Sequence, residues 1–227
     1  AHDIAVAAAF IPHTRAQLRI DAPTPRDLAM MAWNASWYAL LLSAYLQSEV
    51  GFNLQCDVSA EAINEYSTLR ATNPHMHGLA SVTTHFISSE ESDWIDSNIE
   101  QAYKLLDNDA FRGAVHCLAS HRWHSMPSVQ LAVLWSGIEG LFRASSEIRF
   151  RISLYIARLL HPNDQDARRV RFESIKRLYN ARSAAVHGSR IKGDAQSAVK
   201  ESSQVLHALI VHCVSAKATP NEDDLVP

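Results

Sequence analysis

The spacing of apolar residues divides the chain into a mixed front part and a helical back part. From residue 88 onward apolar positions recur every three or four residues, which is the spacing of amphipathic α-helices. The runs "SSEESDWIDSNIEQAYKLLDN" and "DAQSAVKESSQVLHALIVHCVSAK" are two examples. Before residue 90, short runs rich in β-branched and aromatic residues indicate strands. The pattern predicts a mainly α protein, with a mixed α/β segment over 1–89, a helical bundle over 90–217 and a flexible acidic tail over 218–227.

The front segment combines four candidate strands with one long helix. The strands are predicted in "IAVAAAFIP", "AQLRIDAP", "VGFNLQCDV" and "GLASVTTHFIS". The helix "TPRDLAMMAWNASWYALLLSAYLQSEV" opens on Thr24, followed by a proline and an acid in the first turn. Its apolar part is long enough to cross a bilayer. Asn34, Ser36 and Ser43 interrupt that part, which favours a buried core helix because polar groups are costly within lipid.

Three helices of the back part are expected to build the centre of the bundle. "PSVQLAVLWSGIEGLFRAS" is apolar almost all round and predicts a buried central helix, on which Gly137 and Gly140 would let another helix approach closely. "SEIRFRISLYIARLLHP" predicts the next helix, capped by Ser145 or Ser146. "NDQDARRVRFESIKRLYNARSAAVHG" predicts about six turns that end at Gly188, a residue suited to a left-handed C-cap.

Charge is distributed unevenly along the chain. The formal net charge is −3, but residues 1–142 balance to −8, residues 143–192 to +8 and residues 193–227 to −3. A concentrated basic segment suggests an anionic partner such as nucleic acid. The alternatives are that the segment docks on the acidic front half or forms a solvated helix face. Three widely separated cysteines imply no disulfide framework and favour a cytoplasmic setting.

The strongest candidate chemistry lies in "KRLYNARSAAVHGSR", where Arg182 and His187 stand near a helix end. Residues five apart are about 140° apart around a helix axis, so the pair shares one site only if the helix end tightens or a second molecule contributes one member. The helix dipole favours a positive imidazole at that end. Together such groups suffice for RNA cleavage by its own 2′-hydroxyl, because histidine moves the proton and arginine stabilises charge on phosphorus. The alternative is structural: Arg182 pairs with a carboxylate while His187 covers the helix end.

The string "LYNARSAAVHG" resembles the signature of the HEPN superfamily. It follows the buried helix "LAVLWSGIEGLF" and the basic helix "SEIRFRISLYIARLL". The particular resemblance is to the Apea-like HEPN group, whose members carry a similar "LE-LF" helix and a similar "R-S-x-x-V-H-G" ending. The resemblance covers roughly residues 90–215. It implies an HEPN-like helical bundle that commonly dimerises. Many HEPN domains are metal-independent ribonucleases in toxin–antitoxin, abortive-infection and CRISPR systems, and others bind without cutting.

The resemblance implies catalytic roles for Arg182 and His187. Ser183 stands where catalytic members often have Asn, Asp or His, and its hydroxyl would donate to a phosphate. Glu139 matches the glutamate of the family's buried helix, and an acid on so apolar a helix is expected to face Arg182 or another cation of the motif, since an unpaired buried charge is costly. Tyr179, one turn before Arg182, is expected either on the same surface or in the core. The predicted RNA-binding cations are Arg149, Arg151, Arg158, Arg168, Arg169, Arg171, Lys176 and Arg177.

Three function classes follow. The first is a metal-independent endoribonuclease in a prokaryotic defence or toxin-like system, with Arg182 and His187 of two subunits lining one cleft and an antitoxin or other protein as a possible partner. The second is a silent HEPN module that binds RNA, nucleotide or a protein. The third is a dimerisation scaffold. No metal, cofactor or membrane contact is expected, and the five tryptophans are expected in the core. Histidine clusters at 116–124 and 75–85 lack the acids or further ligands that would complete a metal site.

Overall fold

The computed structural model describes residues 17–52, 54–71, 86–142, 144 and 146–225. Over these residues the protein is mainly α, with one small sheet, as the sequence predicts. The described residues fall into two compact units, one within Ala1–Ala39 and Val50–Thr84 and the other within Leu40–Glu49 and His85–Pro227. The long helix α1, Pro25–Tyr45, contributes to both units. The two units change over within α1, after residue 49 and again between residues 84 and 85, and the domain boundary predicted near residue 89 stays a prediction.

The first unit holds the sheet and the first part of α1. Strands β1, Leu54–Cys56, and β2, Leu69–Ala71, pair antiparallel with Gln55 opposite Arg70. The strand predicted in "AQLRIDAP" is absent from residues 17–22, where Gln17 instead bonds the side chain of Glu61 and the backbone of Ala60. The strand predicted in "IAVAAAFIP" lies outside the described residues, as does most of the strand predicted in "GLASVTTHFIS".

The second unit is a helical bundle whose elements match the predicted periodicity. They are α2, Ser89–Leu105; α3, Asp109–Ser120; α4, Pro127–Phe142; α5, Ile148–Leu160; α6, Gln165–Val186; and α7, Ala195–Ala216. Helix α2 begins with a capping box between Ser88 and Glu91. Helix α5 differs from the prediction, because Glu147 in a left-handed conformation precedes it without a side-chain cap, and Ser146 takes no such role.

Helix α4 is the centre of the bundle and packs against α3, α6 and α7. Leu131, Leu134, Trp135 and Ile138 on this helix are fully buried. Gly137 makes the close approach possible: a Cβ there would stand 2.9 Å from Cys117 Cβ and 3.0 Å from a methyl carbon of Leu206. Gly140 has open space instead, so the prediction holds at the first glycine and is wrong at the second.

Two surface features also bear on the sequence prediction. Trp33 on α1 is 72% exposed, whereas a core position was predicted for it. The acidic end of the chain is attached to the second unit over its described part: Glu222–Asp224 form a 3-10 turn, Leu225 is buried, and Arg158 Nη1 donates to the Leu225 carbonyl at 2.6 Å. These contacts involve part of the segment 218–227, for which the composition predicts a flexible tail, and that prediction stays a prediction. Among the described helices, none has the length and apolar character required to cross a membrane.

Candidate functional site

Arg182 is held against the central helix by an ion pair. Its Nη2 donates to Glu139 Oε2 at 2.9 Å, joining the last turns of α6 to α4. The two side chains are 21% and 23% exposed, so the pair is mostly but not fully removed from water. This is the pairing expected for an acid on an apolar helix. Burial raises the pKa of the Glu139 carboxyl, and the positive charge of Arg182 offsets part of that rise.

Aromatic residues complete the setting of the arginine. The guanidinium carbon of Arg182 lies 5.6 Å from the ring centroid of Tyr179. That ring meets Trp135 edge to face at 5.4 Å, and Trp135 Nε1 donates to Ser202 Oγ at 3.1 Å inside the core. Tyr179 therefore lies on the same side of α6 as Arg182 and also contacts the core, which satisfies both expectations for it. Because the Tyr179 ring packs on Trp135, which is fixed in the core, it provides a firm surface for the guanidinium of Arg182.

The pair between Arg182 and Glu139 is incomplete. Arg182 Nε and Glu139 Oε1 are both buried without a hydrogen-bond partner among the described residues. A bidentate arginine–carboxylate pair would have used both atoms. The guanidinium is thus oriented by one carboxylate oxygen and keeps donors that the pair does not use. Because Nε is buried, a further anionic oxygen could reach the guanidinium only at its terminal nitrogens, where the side chain keeps 21% of its surface exposed.

His187 ends α6 and is exposed. It is the C-cap residue, its backbone N–H donates to the Ser183 carbonyl at 3.1 Å, and Gly188 follows with φ of +66°. The bond from Ser189 N to the Ala184 carbonyl closes the end of the helix, so the predicted left-handed cap is present.

Arg182 and His187 diverge within one chain. Arg182 turns toward α4, while His187 lies about 140° further around the axis of α6. Ser183 lies between them in sequence and is half-buried, with its carbonyl engaged by His187. One chain therefore offers an anchored arginine and an exposed histidine on different sides of one helix end.

The predicted RNA-binding cations separate into two sets. Several contact the protein's own acids or backbone: Arg177 pairs with Glu201, Arg168 donates to the Pro162 carbonyl at 3.4 Å, and Arg158 binds Leu225. Arg171 contacts the His161 ring at 3.5 Å, and Arg151 contacts the Tyr155 hydroxyl at the same distance. The other set lies beside the exposed side of α6. It comprises Arg149, which donates to Asn180 at 3.3 Å, Lys176, which pairs with Glu173 at 3.2 Å, and exposed Arg169.

Two further histidines and one cysteine belong to the packing of the bundle. Buried His121 bonds the Leu118 carbonyl through Nδ1 at 2.6 Å, and burial lowers its pKa to about 4. His207 Nε2 bonds the Tyr45 carbonyl at 2.9 Å, and burial lowers its pKa as well. Cys213 is buried, and burial raises the pKa of its thiol to about 12. No group of three or more His, Cys, Asp or Glu side chains forms a possible metal site within the described ranges.

Fold and site together define a class of protein: a mainly α bundle that presents an anchored arginine and a helix-end histidine. No protein-family model, curated protein or solved structure matches this chain. The resemblance of the motif to HEPN proteins therefore rests on its residues alone, and family membership stays a prediction.

Proposed function

We propose that this protein is a metal-independent endoribonuclease of the HEPN type, acting in the cytoplasm of a prokaryote within a defence or toxin-like system. The arrangement of the motif residues supports the proposal. Glu139 orients Arg182 without using all the donors of the guanidinium, while His187 is exposed at a helix end. These are a fixed charge stabiliser and an accessible proton carrier. Together such groups suffice for RNA cleavage without a metal.

The reaction uses the 2′-hydroxyl of the substrate as nucleophile. His187 takes the proton of that hydroxyl as the 2′-oxygen attacks phosphorus, and the imidazolium then protonates the departing 5′-oxygen. Arg182 donates to the phosphoryl oxygen on which negative charge grows. The bond between phosphorus and the 5′-oxygen breaks, leaving a 2′,3′-cyclic phosphate and a 5′-hydroxyl. A substrate that lacks the 2′-hydroxyl cannot react.

The direct test is cleavage of labelled RNA in EDTA. We expect His187→Ala and Arg182→Ala each to lower the rate by roughly 100-fold or more. His124→Ala is the matched control, because His124 is an exposed histidine away from the motif. The 2′-O-methyl form of the same RNA should be bound and left intact. Equal cleavage by wild type and His187→Ala, or products without a cyclic phosphate, would reject the nuclease.

The divergence of Arg182 and His187 leads us to propose a composite cleft formed by two subunits. In a twofold dimer, each cleft would take its arginine from one copy and its histidine from the other. Mixing and re-associating inactive Arg182→Ala with inactive His187→Ala should restore about one quarter of wild-type cleavage, because half the dimers are mixed and each holds one intact cleft. A mixture as inactive as its parts places both residues in one subunit's site.

A silent RNA-binding module is the second candidate. Two observations favour it: Ser183 replaces the Asn, Asp or His often found in catalytic members, and Arg182 is already partly neutralised by Glu139. This function predicts RNA binding that weakens with salt and no cleavage by wild type. A persistent dimer that neither binds nor cleaves RNA would leave the dimerisation scaffold as the remaining function.

A further inference from the structure

One side of α6 carries a continuous row of accessible side chains that ends at the motif histidine. Its members fall within an arc of roughly 80° around the helix axis. We call this row the α6 stripe; it consists of Arg169, Phe172, Lys176, Asn180, Ser183 and His187. At 1.5 Å per residue, the stripe runs roughly 22 Å from Phe172 to His187. The buried residues Ile175 and Leu178 lie outside this arc.

Phe172 of the stripe forms an aromatic pair with Phe150 of α5, in the half of the stripe that lies away from His187. Phe150 on α5 is 52% exposed and meets Phe172 edge to face, with ring centroids 5.7 Å apart. Lys176 Nζ stands 5.0 Å from the centroid of the Phe172 ring. Phe172 therefore contacts Phe150 with one ring edge and carries Lys176 over its own ring, while about half of Phe150 stays open to solvent. A single exposed apolar residue needs no explanation, but an exposed ring that packs on a second ring, with a cation over that second ring, has the features of a surface on which a base can stack.

Cations accompany the stripe along its length. Arg149 reaches from α5 to Asn180, and Arg169 makes no ion pair within the described part of the chain. Lys176 pairs with Glu173, which is 62% exposed, so the pair lies at the surface and is weak enough for a phosphate to compete. These groups lie in the segment whose balance is +8. The positive charge favours a polyanion over an apolar or basic protein partner.

We propose that the α6 stripe is a binding track for single-stranded RNA, in which one unpaired base stacks on Phe150 and the following phosphates run past Lys176 and Arg149 to His187. The inference rests on the proposed function for the identity of the polymer. Only unpaired bases can offer a π-face to the ring, because a duplex keeps its bases stacked within the helix. The proposal therefore names both a substrate class and a residue that recognises it.

The test measures binding rather than cleavage, so it is performed in a His187→Ala background. A short fluorescent single-stranded RNA is titrated at fixed salt, and anisotropy gives the Kd. We expect Phe150→Ala to weaken binding roughly tenfold, in line with the usual value of one base–aromatic stack. Phe150→Trp should keep the affinity and Phe150→Leu should not, because leucine preserves apolar area without a π-face. Val170→Ala is the matched control, since Val170 is 72% exposed on the same helix but off the stripe.

Each outcome separates the track from the nuclease. Loss with Phe150→Ala but not with Val170→Ala, together with a smaller effect on the duplex of the same sequence, supports the track. Equal affinity of the Phe150 and Val170 variants overturns it, even if wild type still cleaves RNA. Dependence of binding on Phe150 without cleavage by wild type supports the track and rejects the nuclease. Absence of RNA binding altogether overturns the track. The nuclease is then judged only by whether wild type cleaves RNA.

Discussion

The ends of α3 and α6 are both capped by a histidine, yet the two residues have opposite surroundings. His121 is the C-cap of α3, is 4% exposed, and its ring bonds the Leu118 carbonyl within its own helix. His187 is the C-cap of α6 and its ring is exposed. Burial holds His121 neutral by lowering its pKa to about 4. The same residue at the same helix position is therefore a packing element in one place and a candidate proton carrier in the other.

The backbone that follows each histidine accounts for the difference. After α3 the chain continues into a 3-10 turn, His121–Trp123, which keeps the ring against the bundle. After α6 it reverses through Gly188 in the left-handed conformation, and the following residues to 190 are exposed. A chain that turns inward buries its cap, and a chain that turns away leaves it at the surface. The comparison can be tested by changing each end in turn.

The largest expected effect comes from removing each ring. His187→Ala should lower RNA cleavage by roughly 100-fold or more while changing the free energy of unfolding by less than about 0.5 kcal/mol. His121→Ala should do the reverse, costing roughly 1–3 kcal/mol of stability because packing and a buried hydrogen bond are lost. Chemical denaturation and cleavage rate per folded molecule are the two measurements. A folded His121→Ala protein with cleavage as low as that of His187→Ala would erase the contrast.

A second effect, on stability alone, is expected when pH is lowered. The folded-state pKa of His121 lies near 4, below its ordinary value of 6.5. The stability that its neutral ring contributes is therefore fully present above pH 6.5. It is lost as pH falls toward 4, because the unfolded chain takes up a proton that the folded one refuses. The loss amounts to roughly 3 kcal/mol at most. Burial shifts His207 and His212 in the same direction, so they add to it.

Denaturant titrations across pH 7 to pH 4 check this dependence. His121→Gln, which cannot titrate in this range, should flatten the curve. A His121→Gln protein whose stability falls with pH as steeply as that of wild type would contradict this assignment.

The smallest expected effect concerns the turn itself. Gly188→Ala meets no neighbouring atom within 4 Å, so its cost comes from φ of +66° alone. We expect about 1 kcal/mol, the usual penalty for a side chain in that conformation. Gly113→Ala, a helical glycine of α3 with similarly open space, should be neutral or slightly stabilising. Thermal melts of the two variants provide the measurement, and equal losses would remove the role given to the turn.

Local features of the fold follow from the sequence, because helix periodicity and capping depend on near neighbours. The start of α4 at Pro127, the capping box at Ser88 and the cap at Gly188 are examples. The contact of Glu139 with Arg182 was also predictable, since an acid on an apolar helix requires a cation. The part that Arg182 and Glu139 play in catalysis stays a prediction.

Features that depend on distant partners were not predictable. Arg158 resembles the other basic residues in sequence, but a carbonyl 67 residues further along the chain occupies it. The neutrality of His121 follows from burial that no local pattern indicates. Phe150 lacks any sequence signal of its own, since a phenylalanine on an amphipathic helix is ordinarily assigned to the core. Its exposure emerges only from the way α5 lies against α6.

The missing side chain at Gly137 has a consequence for slow motions. Because Cys117 of α3 and Leu206 of α7 both press on that position, the three helices cannot separate one at a time without losing contacts on two sides. Backbone amides around this junction should exchange with deuterium only when the whole bundle opens, whereas those of the last turn of α6 should exchange through local fraying. A tightly packed centre and a locally fraying helix end would then coexist in the second unit.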